Sequence, residues 1–151
     1  MHFSRRGLLA ASAAIAAAPS VEAKPKSATQ PAWTPDATEI AGRIRRKEVS
    51  VVEVVEEAIR KAEALQSKVG ALVTSDFDRA MDKARGGQLS GPFAGVPFLI
   101  KDLDPYKGLP TRYGSRSAMG ARPETAQTAF IDAYDRAGLV VIGKSTTPEY
   151  G

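Results

Sequence analysis

The chain has 151 residues, 43% of them hydrophobic, with 21 basic side chains against 17 acidic ones and a formal charge of +4 at pH 7. It has no cysteine and a single histidine, His2, which lies in a segment that reads as a removable leader. A mature form would then have no thiol nucleophile, no Ser-His-Asp triad and no histidine metal site, so a hydrolytic enzyme of this composition needs a lysine or a carboxylate as its base.

Residues 1–23 read as a twin-arginine signal peptide. Ser4-Arg5-Arg6-Gly7-Leu8-Leu9 carries the arginine pair, an alanine-rich apolar stretch follows from Leu8 to Ala18, and Val21-Glu22-Ala23 offers a small-residue cleavage site. The apolar stretch falls short of the roughly 20 residues a membrane span needs, so no stable membrane anchor is expected. The expected destination is the periplasm. Removing the leader takes away Arg5, Arg6 and Glu22, and the formal charge falls from +4 to +3. The densest basic run, Arg43, Arg45, Arg46 and Lys47, sits beside Glu48 and reads as a solvated helix face. Without interleaved aromatics it does not suggest a nucleic-acid surface. Residues 24–35 read as a linker, polar and with two prolines over Lys24–Ala32. The folded domain expected is 36–151.

Two helices open that domain. Asp36 to Arg46 places Ile40, Ile44 and Ala37 or Ala41 on one side. The second starts at Ser50, where Ser50-Val-Val-Glu53 makes a capping box, and carries Val51, Val54, Val55, Ala58, Ala62 and Leu65 at helical spacing to about Gln66. Gly70 stops it. Ala71 to Thr74 is short enough for a strand, and Asp78 to Arg85 reads as a helix ended by Gly86-Gly87. A buried strand follows over Val96 to Lys101, then an irregular stretch from Asp104 to Gly120, dense in Gly, Pro and Ser and of the length that functional loops have. Glu124 to Ala137 predicts a helix with Phe130, Ile131, Tyr134 and Ala137 inward, and Leu139 to Ile142 a second buried strand. Strand, crossover helix and strand in that order predict an α/β sheet with some parallel pairing. A sheet cut after Ile142 would leave an open edge, which allows aggregation, a homo-oligomer or a bound partner.

Gly138-Leu-Val-Val-Ile-Gly143-Lys144-Ser145 satisfies the phosphate-loop expression letter by letter. The physics behind it is missing. A phosphate loop follows a strand and opens a helix, whereas here the intervening residues are the strand itself and Pro148 follows. Lys144 therefore reads as a strand-end lysine, or as part of a wall near Lys101. Lys101 closes the run Val96-Pro-Phe-Leu-Ile100. A lysine buried at a strand end is disfavoured as an ammonium and can act as a base near neutrality. No cofactor and no metal site is indicated.

The segment Gly91-Pro-Phe-Ala-Gly-Val-Pro-Phe-Leu-Ile-Lys-Asp-Leu103, with Gly108-Leu-Pro-Thr111, Gly114-Ser115 and Arg136 through Gly151, resembles the N-terminal part of the amidase signature family. Weaker agreement runs back to Glu48-Val-Ser-Val-Val-Glu53. The resemblance implies the N-terminal part of the amidase signature fold, a mixed central sheet flanked by helices and incomplete in this chain. It also implies hydrolysis of a small-molecule amide by a Ser-Ser-Lys triad, in which the lysine matching Lys101 is the catalytic base. That lysine takes a proton from a serine held by a cis peptide bond, which activates the nucleophilic serine.

In the family, the glycine- and serine-rich stretch bearing both serines follows the block that ends here at Gly151, so this chain offers one member of the triad and is expected to be inactive alone. Ser115, Ser117 and Ser145 do not sit in a comparable turn. Thr146 stands where the family usually has asparagine, and Thr125-Ala-Gln127 where an acidic residue commonly opens the helix. The alternative is a non-catalytic binding or interaction module derived from the same fold.

Overall fold

The computed structural model describes residues 35–151, so the leader at 1–23 and all of the 24–35 linker but Pro35 lie outside the described residues. Helix α1 (Ala37–Arg45) begins where the Asp36 carboxylate accepts the Glu39 amide at 2.8 Å, satisfying a donor that every first turn leaves unpaired. The basic run at its end is a solvated face, as its composition suggested, with Arg43 and Arg46 ion-paired to Glu48. Arg46 Nε donates to Glu48 Oε1 at 2.6 Å, and that bond holds the Glu48 carboxyl below its usual range.

Helix α2 (Val51–Val69) opens on the expected capping box: Ser50 Oγ accepts the Glu53 amide at 3.2 Å while Glu53 Oε2 accepts the Ser50 amide at 2.8 Å. It runs three residues past Gln66 because Gln66 serves the next element with its side chain. Its amide accepts from Leu72 N at 2.9 Å and donates to Leu72 O at 2.8 Å, tying the helix to strand β1 (Leu72–Ser75). Leu65, expected inside, is 49% exposed, because the core contacts of α2 stop at Ala62.

Helix α3 (Phe77–Arg85), strand β2 (Pro97–Lys101), helix α4 (Ala129–Arg136) and strand β3 (Val140–Ser145) complete the element order. The sheet order is β1-β3-β2, with β1 antiparallel and β2 parallel to β3. Helices flank this mixed sheet. Val140 and Ile142 pack with Val55, Ala80 and Ala84 of α2 and α3, whereas Val141 packs with Ile100, Tyr106, Leu109 and Ile131 on the α4 side. The open edges belong to β1 and β2. The strand expected to end at Ile142 continues through Ser145 and is central.

Two further expectations are corrected. The helix read from Glu124 begins only at Ala129, capped by Thr128 Oγ1 on the Ile131 amide. Glu124 instead bridges the long loop, accepting from Gly108 N at 2.8 Å and donating to Leu109 O at 3.1 Å. Those bonds, which need extended backbone, win over helix propensity. Phe130, expected inward, is 57% exposed and meets Tyr134 edge-on at 4.8 Å, since Ile131 takes the buried position on that turn.

β3 holds an irregularity that matters later. Between Phe98–Leu99 of β2 and Val141–Gly143 of β3 the register shifts by one residue, so Phe98 is level with Val141 but Leu99 is level with Gly143. Gly143 has φ 154°, and a Cβ there would meet Thr74 O of β1 at 2.4 Å. Only glycine passes so close to a neighbouring backbone. The bulge places Lys144 level with Ile100 and Lys101 level with Ser145.

Tyr106 anchors the loop beneath α4 and carries a testable signature. Burial first, then the nearby Asp135 charge, pushes its phenol up to about 12. Because the folded value is raised above the usual 10, this stabilisation is fully present below pH 10 and is lost as pH rises toward 12. Replacing Tyr106 by Phe is expected to remove a loss of about 1.4 kcal/mol per pH unit in that window. Urea melts of the two chains at pH 9 and pH 11 measure the difference; equal slopes would refute it.

Candidate active site

The parallel pairing of β2 with β3 brings two lysine-bearing strand ends side by side. β2 delivers Lys101 and Asp102; β3 delivers Lys144 and Ser145. In open α/β sheets the space beyond the carboxyl ends of parallel strands is where ligands bind, and both lysines are there.

Their environments are the reverse of what the sequence suggested. Lys101 is exposed, and none of the described residues gives its ammonium a hydrogen bond or an ion pair. The expected burial is therefore corrected: β2 is an edge strand, and no described element covers its end. Lys101 opens on a groove of about 360 Å³ formed by Phe98 to Lys101, Asp104, Phe130, Tyr134, Ser145 and Thr146. Phe130 and Tyr134 form the aromatic wall of this groove.

Lys144 is the buried lysine, at 0% exposure, and so is Asp102. Lys144 Nζ lies 2.9 Å from Asp102 Oδ1, donates to Thr111 Oγ1 at 2.8 Å and to Pro110 O at 3.1 Å. The ammonium thus spends its three donors on three acceptors, and none is left for a phosphate. The residues of the phosphate-loop expression are a strand ending in an internal ion pair.

Asp102 also accepts the Arg112 amide at 3.2 Å, and its own carbonyl accepts the Tyr113 amide at 3.1 Å. Asp102 thus serves two loop amides, and its main partner, Lys144, was not anticipated from the sequence. A signal existed: pairing the two apolar runs in parallel puts the charged residues that end them next to each other.

The serines of the loop are engaged in structure. Ser115 Oγ donates to Glu149 at 2.6 Å and meets Ser117 Oγ at 2.8 Å, while Ser117 Oγ lies 3.0 Å from Tyr150 Oη. Tyr150 N donates to Tyr113 O at 2.7 Å, and the two rings stack at 5.9 Å. This mesh pins the segment after β3 onto the loop after β2. Among the described residues no cluster of three or more His, Cys, Asp or Glu could hold a metal ion, and no helix is long and apolar enough to cross a membrane.

Comparisons with known proteins agree on one family. The model of the family described as Amidase matches residues 53–151. The chain is 36% identical over 121 residues to a glutamyl-tRNA(Gln) amidotransferase subunit of Salinispora arenicola, covering 76% of this chain and 24% of that protein. It is 33% identical over 122 residues to an acylamidase of Rhodococcus erythropolis, covering 76% of this chain and 25% of that protein. Among solved structures it superposes on 6-aminohexanoate cyclic dimer hydrolase with a TM-score of 0.72 at 30% identity, over 78% of this chain and 24% of that one. A peptide amidase from Stenotrophomonas maltophilia gives 0.68 at 25% identity, over 80% and 26% of the two chains. The chain spans about a quarter of the length of the curated relatives it matches.

Proposed function

This chain belongs to the amidase signature family, and from that membership we propose that it carries the lysine-bearing part of an exported hydrolase of carbon–nitrogen amide bonds, with Lys101 as the base of a Ser-Ser-Lys triad. The observation that carries the reading is an unpaired lysine at the carboxyl end of a parallel strand, opening on a groove with an aromatic wall.

In this mechanism neutral Lys101 accepts the proton of one serine. That serine accepts the proton of a second, whose oxygen adds to the amide carbonyl. The amine leaves with a proton passed back along the same relay, and water then opens the acyl-enzyme. Both serines and the oxyanion-hole amides belong to the family segment that follows the block ending at Gly151 here. Closing that segment over the end of β2 would take Lys101 out of water, and desolvation disfavours a charged ammonium, which is the condition general-base catalysis by lysine needs.

The test is direct. Purified residues 24–151 are expected to hydrolyse neither amides nor esters above a buffer control, and the same residues joined to the serine-bearing segment of a relative are expected to turn over an amide. Turnover by residues 24–151 that depends on Lys101 would refute the need for the serines. A joined chain that folds without activity would favour the binding-module alternative.

Export belongs to the same proposal, and the support for it is the arginine pair, apolar stretch and cleavage site in order. Replacing Arg5 and Arg6 by lysine is expected to strand the precursor in the cytoplasm, read by fractionation and immunoblotting. Unchanged export would remove the twin-arginine assignment.

A further inference from the structure

A second cavity, of about 270 Å³, lies beside the Lys101 groove, and Thr146 lines both. It holds more positive charge than its own residues neutralise. Arg112 is half-buried, yet Nη1 donates only to the neutral Thr74 hydroxyl, at 2.8 Å. Arg116, also in the lining, has no hydrogen-bond or ion-pair partner for its guanidinium among the described residues. The one carboxylate in the lining, Asp102, is committed to Lys144 at 2.9 Å and to the Arg112 backbone amide. Glu149, whose carboxylate accepts the Ser115 hydroxyl at 2.6 Å, is not part of the lining.

A hydroxyl in the same lining is also unsatisfied. Thr147 Oγ1 is buried and has no hydrogen-bond partner among the described residues. Buried polar atoms without partners are rare in folded proteins, and each calls for an explanation such as a bound water, ion or ligand. Two guanidiniums without a carboxylate and one unpaired hydroxyl together match an anionic planar group, which arginine forks recognise in two-point fashion.

We propose that this cavity binds the carboxylate of a small ligand and that, in the hydrolase, it selects amides bearing a carboxylate away from the scissile bond. The substrate half of this statement rests on the hydrolase reading; the anion-binding half stands on the cavity alone. Succinamate, an amide with one carboxylate, and succinamide, its neutral counterpart, separate the two chemistries.

Binding is measured on the full chain by titration calorimetry at fixed ionic strength and pH 7. Succinamate is expected to bind saturably and succinamide at least tenfold more weakly. Arg116→Gln, at an exposed side chain with no partner, is expected to weaken succinamate at least tenfold without moving the melting temperature. Arg112→Gln should weaken it too, with some loss of stability because the Thr74 bond goes. Equal affinity for the two ligands, unchanged binding by Arg116→Gln, or no saturable succinamate binding would each overturn the proposal. No turnover is needed for this assay, so its failure leaves the base assignment to the activity tests on Lys101, and their failure leaves this one untouched.

Discussion

In a chain extended by the serine-bearing segment of a relative, Lys101→Ala is expected to lower kcat/KM toward amides by about 10²–10⁴-fold, the range that a positioned general base supplies. The fold should not notice. Lys101 is exposed and gives its ammonium to no described residue, and surface substitutions of that kind usually stay within about 0.5 kcal/mol. This separation of rate from stability follows from the geometry. A lysine at the end of a strand, with no ion pair or hydrogen bond among the described residues, contributes nothing to the resting packing that its removal would cost. Lys101→Arg should not rescue, because a guanidinium does not surrender its proton near neutrality. Steady-state kinetics beside thermal melts of the same preparations would decide. Near-normal turnover by Lys101→Ala would overturn the assignment.

Lys144 is expected to behave in the opposite way. Lys144→Met leaves the Asp102 carboxylate at 0% exposure with no countercharge, a loss of about 3–5 kcal/mol for a broken buried pair. Small domains have roughly 5–15 kcal/mol in total, so the variant should be marginally folded at best. Asp102→Asn strands the Lys144 ammonium instead and should cost stability far more than rate. Replacing both, by Met at 144 and Leu at 102, should recover most of the loss, because desolvation of the two charges disappears along with their attraction. The recovery is incomplete, since the Arg112 amide loses its acceptor. Urea denaturation of the two single variants and the double variant gives the coupling energy directly. Additive losses would show that the pair is not what holds the strand ends together.

The contrast between these lysines is also where the sequence was hardest to read. Element identities were legible from local chemistry: Ser50 with Glu53 opens α2, Gly70 closes it, and the apolar runs before Lys101 and Lys144 became neighbouring strands. Which lysine is buried was not legible, because burial depends on what covers a strand end. The loop from Asp104 onward folds back over β3 through Thr111 and Pro110 and shuts Lys144 in, whereas β2, at the edge of the sheet, is left open at Lys101. The same limit accounts for Leu65, which lies past the last α2 residue in the core, and for Phe130, whose inward place is taken by Ile131. Thr128 against Glu124 as the start of α4 was a competition between two local choices, settled by a tertiary contact to Gly108 and Leu109.

The one-residue bulge at Gly143 has a consequence for anyone borrowing this sheet. In a regular strand Ile142 and Lys144, two apart, would project the same way, and the lysine would be driven among Val55, Ala80 and Ala84. The extra residue changes the parity of the strand midway, so Ile142 is directed at α2 and α3 while Lys144, two residues on, is directed at the loop beyond β2. Grafting Asp102 and Lys144 onto an unbulged parallel pair would therefore require one residue to be deleted ahead of the lysine. Conversely, straightening the bulge in β3 without deleting a residue is a change of frame for side chains: every charged residue would stay in the sequence, and Lys144 would still change layers.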